Sequence, residues 1–489
     1  MRRLLLILLT GLCVTAAYGQ AAGPDLPDIG NPAGAIVTKN DELQFGRSVV
    51  LQLRQQNQIF DDPEITEYLN AIGSRIAAQT GDDGQHFEYF AVRDNAINAF
   101  ALPGGFIGVN SGLMLSTTNE SQLASVLAHE TAHVTQRHIA RSIRAQSQQS
   151  IASMAMILGA ILIGAIAGGG GDAMEGAIAM AQGTAMQQQI NFTRANENEA
   201  DRVGIGFLAS AGFDPEAMPD FFETLGRRYG MAEGRIPALL QDHPVTSARI
   251  AESRARAGAF TRPRSLQDSL NYALVRERIR ILGAPQGEDV TQYYAKRSRQ
   301  DGSLTLADQY GKGIALIQAS RPAEAVRVLA PLAAKRDDSI LIQIALAQAQ
   351  MAAGQQREGL ATFENAAALF PRNVPLTIRY AEALMSAGRA RQAHAILLDL
   401  FNNTAPTPDQ IHLIALAASA AGDTGDAYFY MGEYQIATGS LGLAVQQLEL
   451  ALRSPNLTTV QRERYRARLD EIREFLIQDR SIHKVSNRG

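Results

Sequence analysis

Glycines 354, 388 and 422 recur every 34 residues, and Ser320 holds the same phase one period earlier. Five residues beyond each stand Ala325, Gly359, Ala393 and Ala427, all small. Nine residues beyond each stand Leu329, Phe363, Leu397 and Met431, all large and apolar. A unit of this length holds two helices and cannot bury its apolar stripe alone, so successive units must stack into a superhelix. Pro371 and Pro406 fall where one unit turns into the next. Later the phase slips, and Gly439, Ala444, Leu448 and Ala451 repeat the pattern half a period on.

A 34-residue period with small–large phasing is the signature of tetratricopeptide repeats. The reading is an α-solenoid of roughly four repeats over 303–478, closed by a capping helix at 459–478 and followed by a tail at 479–489. The rest of the chain lacks this period and needs its own explanation. With 489 residues, 46% hydrophobic and 19% charged, the chain can bury a sizeable core and is not disordered. Lys+Arg 45 against Asp+Glu 49 gives a net charge of −4 with no basic block, which argues against nucleic acid as a partner. Cys13 is the single cysteine, so a disulfide framework and a Cys-rich zinc ribbon are both excluded. A metal site must use carboxylates and some of the eight histidines.

Arg2 and Arg3, the apolar run 4–17 and the small residues after it have the layout of a secretory signal peptide over 1–19. Leu12 before Cys13 is not small, which argues against a lipoprotein. The exported chain would then be free of cysteine. Residues 20–283 form the expected first domain, with a linker at 284–302. Within that domain, 151–167 carry no charge and end in four glycines, Gly168 to Gly171. A spanning helix needs about 20 apolar residues. The run is therefore read, with the small-residue stretch up to 190, as a mobile apolar helical segment over or beside the site. The other reading is partial insertion in a membrane or docking on a membrane protein.

Earlier in the domain, helices are expected at 41–57 and 64–80. Asp62-Pro63 supplies an N-cap and an N1 proline for the second. Strands are expected at 87–92, 96–102 and 106–110, the last two joined by Pro103-Gly104-Gly105. A helix at 119–144 follows, with Leu123, Val126, Leu127 and Val134 as its buried stripe.

That helix carries His129-Glu130-Thr131-Ala132-His133. Histidines at i and i+4 share one face, so their imidazoles can take adjacent corners of a tetrahedral zinc site. Glu130 projects toward the same site and can take a proton from a water that zinc acidifies to a pKa of about 7. A metzincin would place its third ligand at position 139, which is Ile139. His138 points about 140° away from His133 on a continuous helix and is read as a surface or packing residue. A carboxylate on a second helix is the alternative. Glu197 and Asp201 are four apart and share a face, so one can bind metal while the other orients a ligand imidazole. Glu199 points elsewhere, and the residues alone leave Glu197 and Glu199 both open as the ligand.

The His129-Glu130-x-x-His133 and Glu197-x-x-x-Asp201 pairing resembles the zinc metallopeptidase family of HtpX and the CAAX prenyl proteases. So do the run from Asn98 to Gly105, leading into Ser111-Gly112-Leu113, and the run from His243 to Arg249. The resemblance implies a mostly α chain: a zincin-like α+β metallopeptidase domain followed by the repeats. It implies one Zn²⁺ per chain held by His129, His133 and Glu197, with Glu130 as general base and Asp201 orienting a ligand histidine. It further implies that His243 approaches the zinc and restrains activity. His243 or Arg249 stabilising the transition state, and a structural His243, are the alternatives. His₂Glu sites also accept Co²⁺ or Mn²⁺.

A signal peptide, this peptidase domain and C-terminal repeats together resemble periplasmic members of the family. The implied substrates are unfolded, misassembled or stalled outer-membrane proteins, recognised through strand pairing with 96–110. The implied partner is the outer-membrane assembly machinery, docked by the repeats. The rival reading is a chaperone or assembly adaptor with a largely silent metal site.

Overall fold

The computed structural model describes residues 38–82, 84–145, 194–229, 239, 243, 245–263, 267–285 and 287–486. The expected signal peptide and the apolar segment at 151–190 lie outside the described residues. Among the described residues, no helix is long and apolar enough to cross a membrane.

Helix α1 (Lys39–Gln55) starts at a capping box in which Thr38 and Asp41 satisfy each other's backbone donors. Helix α2 (Pro63–Ala77) starts as expected, with the Asp62 carboxylate accepting from Ile65 N at 3.1 Å. Strands β1 (Glu88–Val92), β2 (Ala99–Leu102) and β3 (Phe106–Asn110) form a sheet of order β1–β3–β2, β1 parallel and β2 antiparallel to β3. Side chains alternate across its two faces. Phe90, Val92, Phe100, Leu102 and Phe106 pack with Val49, Val50 and Leu53 of α1. Tyr89, Ala91, Ala99, Ile107 and Val109 join the main core on the other side. The turn from β2 to β3 needs its glycines: Gly105 has φ +87°, and a Cβ there would run into the His86 carbonyl.

Helix α3 (Ser111–Ser116) follows directly, then α4 (Glu120–Thr135), capped by Asn119. The sequence suggests one helix from 119 to 144. The structure breaks it after Thr135, because Arg137 takes the left-handed region at φ +50°, and α5 (His138–Ala145) starts in a new direction. From Gln122 to His133 every residue of α4 is buried, so it is a core helix and not one with a single apolar stripe. It lies between α2, β2, α6 (Arg194–Ser210) and α7 (Ala217–Tyr229). Helix α8 (Ser247–Ala257) crosses α6 and α7, and α9 (Leu270–Leu282) crosses α2 and α3.

The stretch expected as a linker contains α10 (Thr291–Asp301), whose buried Tyr294 donates to Glu277 Oε2 at 2.7 Å. The solenoid runs from α11 (Leu306–Gln318) through α12 (Pro322–Lys335), α13 (Ile340–Ala352), α14 (Gln356–Leu369), α15 (Val374–Ser386), α16 (Ala390–Phe401), α17 (Pro408–Ala421), α18 (Thr424–Ala437) and α19 (Leu441–Arg453) to the long α20 (Thr459–Ser486). The periodic residues are its turn points, since Ser320, Gly354, Gly388 and Gly422 all have positive φ. Ala325, Leu329, Phe363, Ala393 and Leu397 are buried between helices. In α18 the phase shifts by two: Gly425 and Phe429 are buried where Ala427 and Met431 were expected. The main core continues from Phe60 through Tyr310 to Ala349, so the first repeats pack on the N-terminal domain without a break.

Candidate metal centre

Helices α4 and α6 meet closely because Gly204 has no side chain. A Cβ at that position would lie 3.1 Å from the Ala128 carbonyl and from His129 N. This approach brings the acids of α6 onto the histidines of α4. His129 Nε2 lies 3.0 Å from His133 Nε2 and 3.5 Å from Glu197 Oε2. His133 Nε2 lies 3.6 Å from Glu197 Oε1. His243, from the segment before α8, brings Nδ1 to 3.0 Å from Glu197 Oε1 and 3.4 Å from His129 Nε2. One donor atom from each of these four residues lies within 4.8 Å of the others. A tetrahedron with metal–ligand bonds near 2.0 Å has edges of about 3.3 Å, so the donor set fits a single ion such as zinc.

The electrostatics say the same. Burial lowers the His129 imidazole, but its contacts with Asp201 and Glu197 outweigh this and carry it up to about 10. Burial and the charge on His129 hold His133 well below its ordinary value. Burial pushes Glu197 up, but His243 and His129 overcome this and hold it well below the usual carboxylate range. An ionised carboxylate amid three imidazoles suits a bound cation.

The neighbouring residues hold this arrangement. Asp201 Oδ1 lies 2.9 Å from His129 Nδ1, which aims Nε2 at the centre. Arg249 grips Asp201 with two bonds of 2.8 Å, and its Nη1 lies 2.9 Å from Glu197 Oε2. The guanidinium therefore spans both acids and fixes the face that α6 presents. Phe222 sits edge-on to His129 and under Arg249, closing the apolar side. Glu130 is 1% exposed, with Oε1 3.6 Å from His243 Nε2.

His138, expected as a surface or packing residue, is a buried one, but it faces the site and not away from it. It is fully buried, its Nδ1 stands 2.9 Å from His133 Nδ1, and its Nε2 stands 3.2 Å from Glu199 Oε2. Arg141 donates to the same Glu199 oxygen at 2.8 Å. The left-handed Arg137 folds His138 back over His133 instead of carrying it 140° away. Glu199 thus supports the outer side of His133, while Glu197 is the acid that faces the donors.

The profile of Peptidase family M48 matches residues 63–257, and a tetratricopeptide repeat profile matches 351–417. A putative beta-barrel assembly-enhancing protease of Vibrio cholerae is 34% identical over 467 residues, covering 94% of this chain and 96% of that protein. The beta-barrel assembly-enhancing protease of Escherichia coli is 32% identical over 466 residues, covering 94% of each. The mitochondrial metalloendopeptidase OMA1 of Arabidopsis thaliana is 29% identical over 197 residues, 40% of this chain and 36% of that one.

Proposed function

The chain belongs to peptidase family M48, alongside the beta-barrel assembly-enhancing proteases, and from that premise we propose that it is a zinc-dependent endopeptidase of the periplasm. Its proposed clients are misassembled or stalled outer-membrane proteins, and its repeats dock it on the assembly machinery. The metalloendopeptidase character follows from the family and from the four convergent donors.

The observation that carries the reading is the convergence of His129, His133 and Glu197 beside Glu130 on a buried helix. These three residues would hold the ion, which when bound supplies a Lewis acid to polarise the scissile carbonyl and acidify water. Glu130 takes the proton from water as the water oxygen attacks the carbonyl carbon. It then delivers that proton to the amide nitrogen as the C–N bond breaks. Asp201 and Arg249 keep the ligands in place, and in this reading Arg249 is a positioning residue.

An extended client would pair with β2. The outer edge of β1 is taken by 58–60, through the Ile59–Val92 bridge and Phe60 N donating to Ala91 O. That leaves β2, packed against α4, as the other edge among the described residues. Backbone pairing of this kind reads little sequence and suits unfolded chains.

His243 gives the site a resting state. As a fourth donor it would take the position that water needs, so turnover requires it to withdraw. The purified full chain should cleave an unfolded outer-membrane protein slowly and His243→Ala should cleave it faster. Glu130→Gln should retain zinc while losing about 10²–10⁴ in rate. Absence of stoichiometric zinc in wild type, or full activity in Glu130→Gln, would falsify the assignment. The closed site and the repeats also support a second role as an assembly adaptor; that role predicts that Glu130→Gln still supports assembly.

A further inference from the structure

His394 on α16 is 7% exposed, and its Nε2 makes no hydrogen bond. Two acids of the next repeat stand beside the imidazole, Asp426 on its Nε2 side. Asp426 Oδ2 lies 3.4 Å from that nitrogen, and one oxygen of Asp423 completes a set of three donors within 4.8 Å of one another. At 3.4 Å His394 Nε2 and Asp426 Oδ2 make no hydrogen bond, and the spacing suits two ligands of one ion.

Each acid is already oriented from behind. Asp426 Oδ1 accepts from Tyr465 Oη at 2.6 Å. Asp423 Oδ1 caps α18 by accepting from Asp426 N at 3.0 Å, and its Oδ2 accepts from Gln461 Nε2 at 3.3 Å. Tyr465 and Gln461 both belong to α20. Fixing ligands by outer hydrogen bonds is what metal sites do. A cavity of about 370 Å³ lined by His394, Asp423, Arg391 and Gln461 opens beside the donors, with room for an ion to arrive and for waters to complete its shell.

We propose that His394, Asp423 and Asp426 form a second divalent-metal site, of the zinc type, in the repeat region, tying α16, α18 and α20 together. One imidazole and two carboxylates without sulfur suit Zn²⁺, and Mn²⁺ more weakly. The site is independent of the peptidase centre and shares no residue with it.

The full chain, equilibrated with Zn²⁺ and desalted, should hold two ions. His129→Ala/His133→Ala should hold one, and adding His394→Gln should remove it. Asp423→Asn is the conservative check, because the asparagine oxygen still caps α18 by accepting from Asp426 N, while the charge and the oxygen that accepts from Gln461 are lost. It should weaken retention of that ion at least tenfold and abolish the rise in melting temperature that Zn²⁺ gives the His129→Ala/His133→Ala background. Mn²⁺ in place of Zn²⁺ should give a smaller rise. A His129→Ala/His133→Ala chain, folded by circular dichroism, that retains no zinc would overturn the proposal. Retention unchanged by His394→Gln or Asp423→Asn would overturn it equally.

Discussion

At the scale of single residues, the metal centre extends further than the sequence pattern shows. Helical spacing made the pairs His129–His133 and Glu197–Asp201 legible, but the residues alone left Glu197 and Glu199 both open, and the family resemblance separated them. The place of His138 was not legible, because the residue that redirects it is Arg137, and neither glycine nor proline marks that left-handed turn. The resulting chain from His133 through His138 to Glu199 and Arg141 predicts that support from outside the ligands governs metal retention. Outer partners of a ligand histidine typically change metal affinity by about 10–100-fold. His138→Leu, which keeps the position filled and buried but removes both ring nitrogens, should lose zinc to a chelator that much more readily. His86→Leu, on a histidine remote from the centre, should leave retention unchanged.

At the scale of elements, the helix crossing decides whether a site exists at all. The acids on α6 could be read from sequence, but the distance of α6 from α4 could not, since it is set by what lies against Gly204. A second glycine in the same helix, Gly206, has nothing within 4 Å of its Cβ position and serves as the control. Gly206→Ala should raise stability by about 0.5–1 kcal/mol through the loss of backbone freedom in the unfolded chain. Gly204→Val should do the opposite. It forces branched carbons into the Ala128–His129 backbone and should lower both the melting temperature and the zinc content, as thermal unfolding and metal analysis would record. The repeats were more legible, because their positive-φ turns recur as glycine at a fixed interval. Their phase was lost in α18, where Phe429 and not Met431 fills the gap and no turn residue signals the shift.

At the scale of the whole molecule, the solenoid is held to the peptidase domain by charges that no motif announces. Asp62 and Glu64 at the start of α2 are buried between Arg278 of α9 and Arg379 of α15. Arg379 Nη2 is 2.9 Å from both Asp62 Oδ2 and Glu64 Oε2, across more than 300 residues of sequence. Two acids and two guanidiniums balance, so removing one partner exposes an unmatched buried charge. Breaking such a pair typically costs about 3–5 kcal/mol. Arg379→Met should therefore lower the stability of the full chain by that order in denaturant unfolding, and Arg379→Lys should recover only part, because it loses the forked geometry.

Next to this joint sits a pair of the opposite kind. Burial, and then the like charge of Asp409 on α17, push Asp61 up to about 6, with Arg54 opposing them. A carboxyl whose pKa is raised by folding binds its proton more tightly in the native state. Its contribution to stability is thus most favourable below the unfolded value of 3.8, declines as pH climbs through about 6, and is level above. Asp61 is 44% exposed, so solvent screens much of this effect. Asp61→Asn removes the ionisation while keeping the shape. Its melting temperature should exceed that of wild type by a small margin at about pH 7.5, and the margin should vanish by about pH 4, where wild type is itself protonated at this position. A margin of the same size at both pH values would show that the repulsion between Asp61 and Asp409 does not act across the joint.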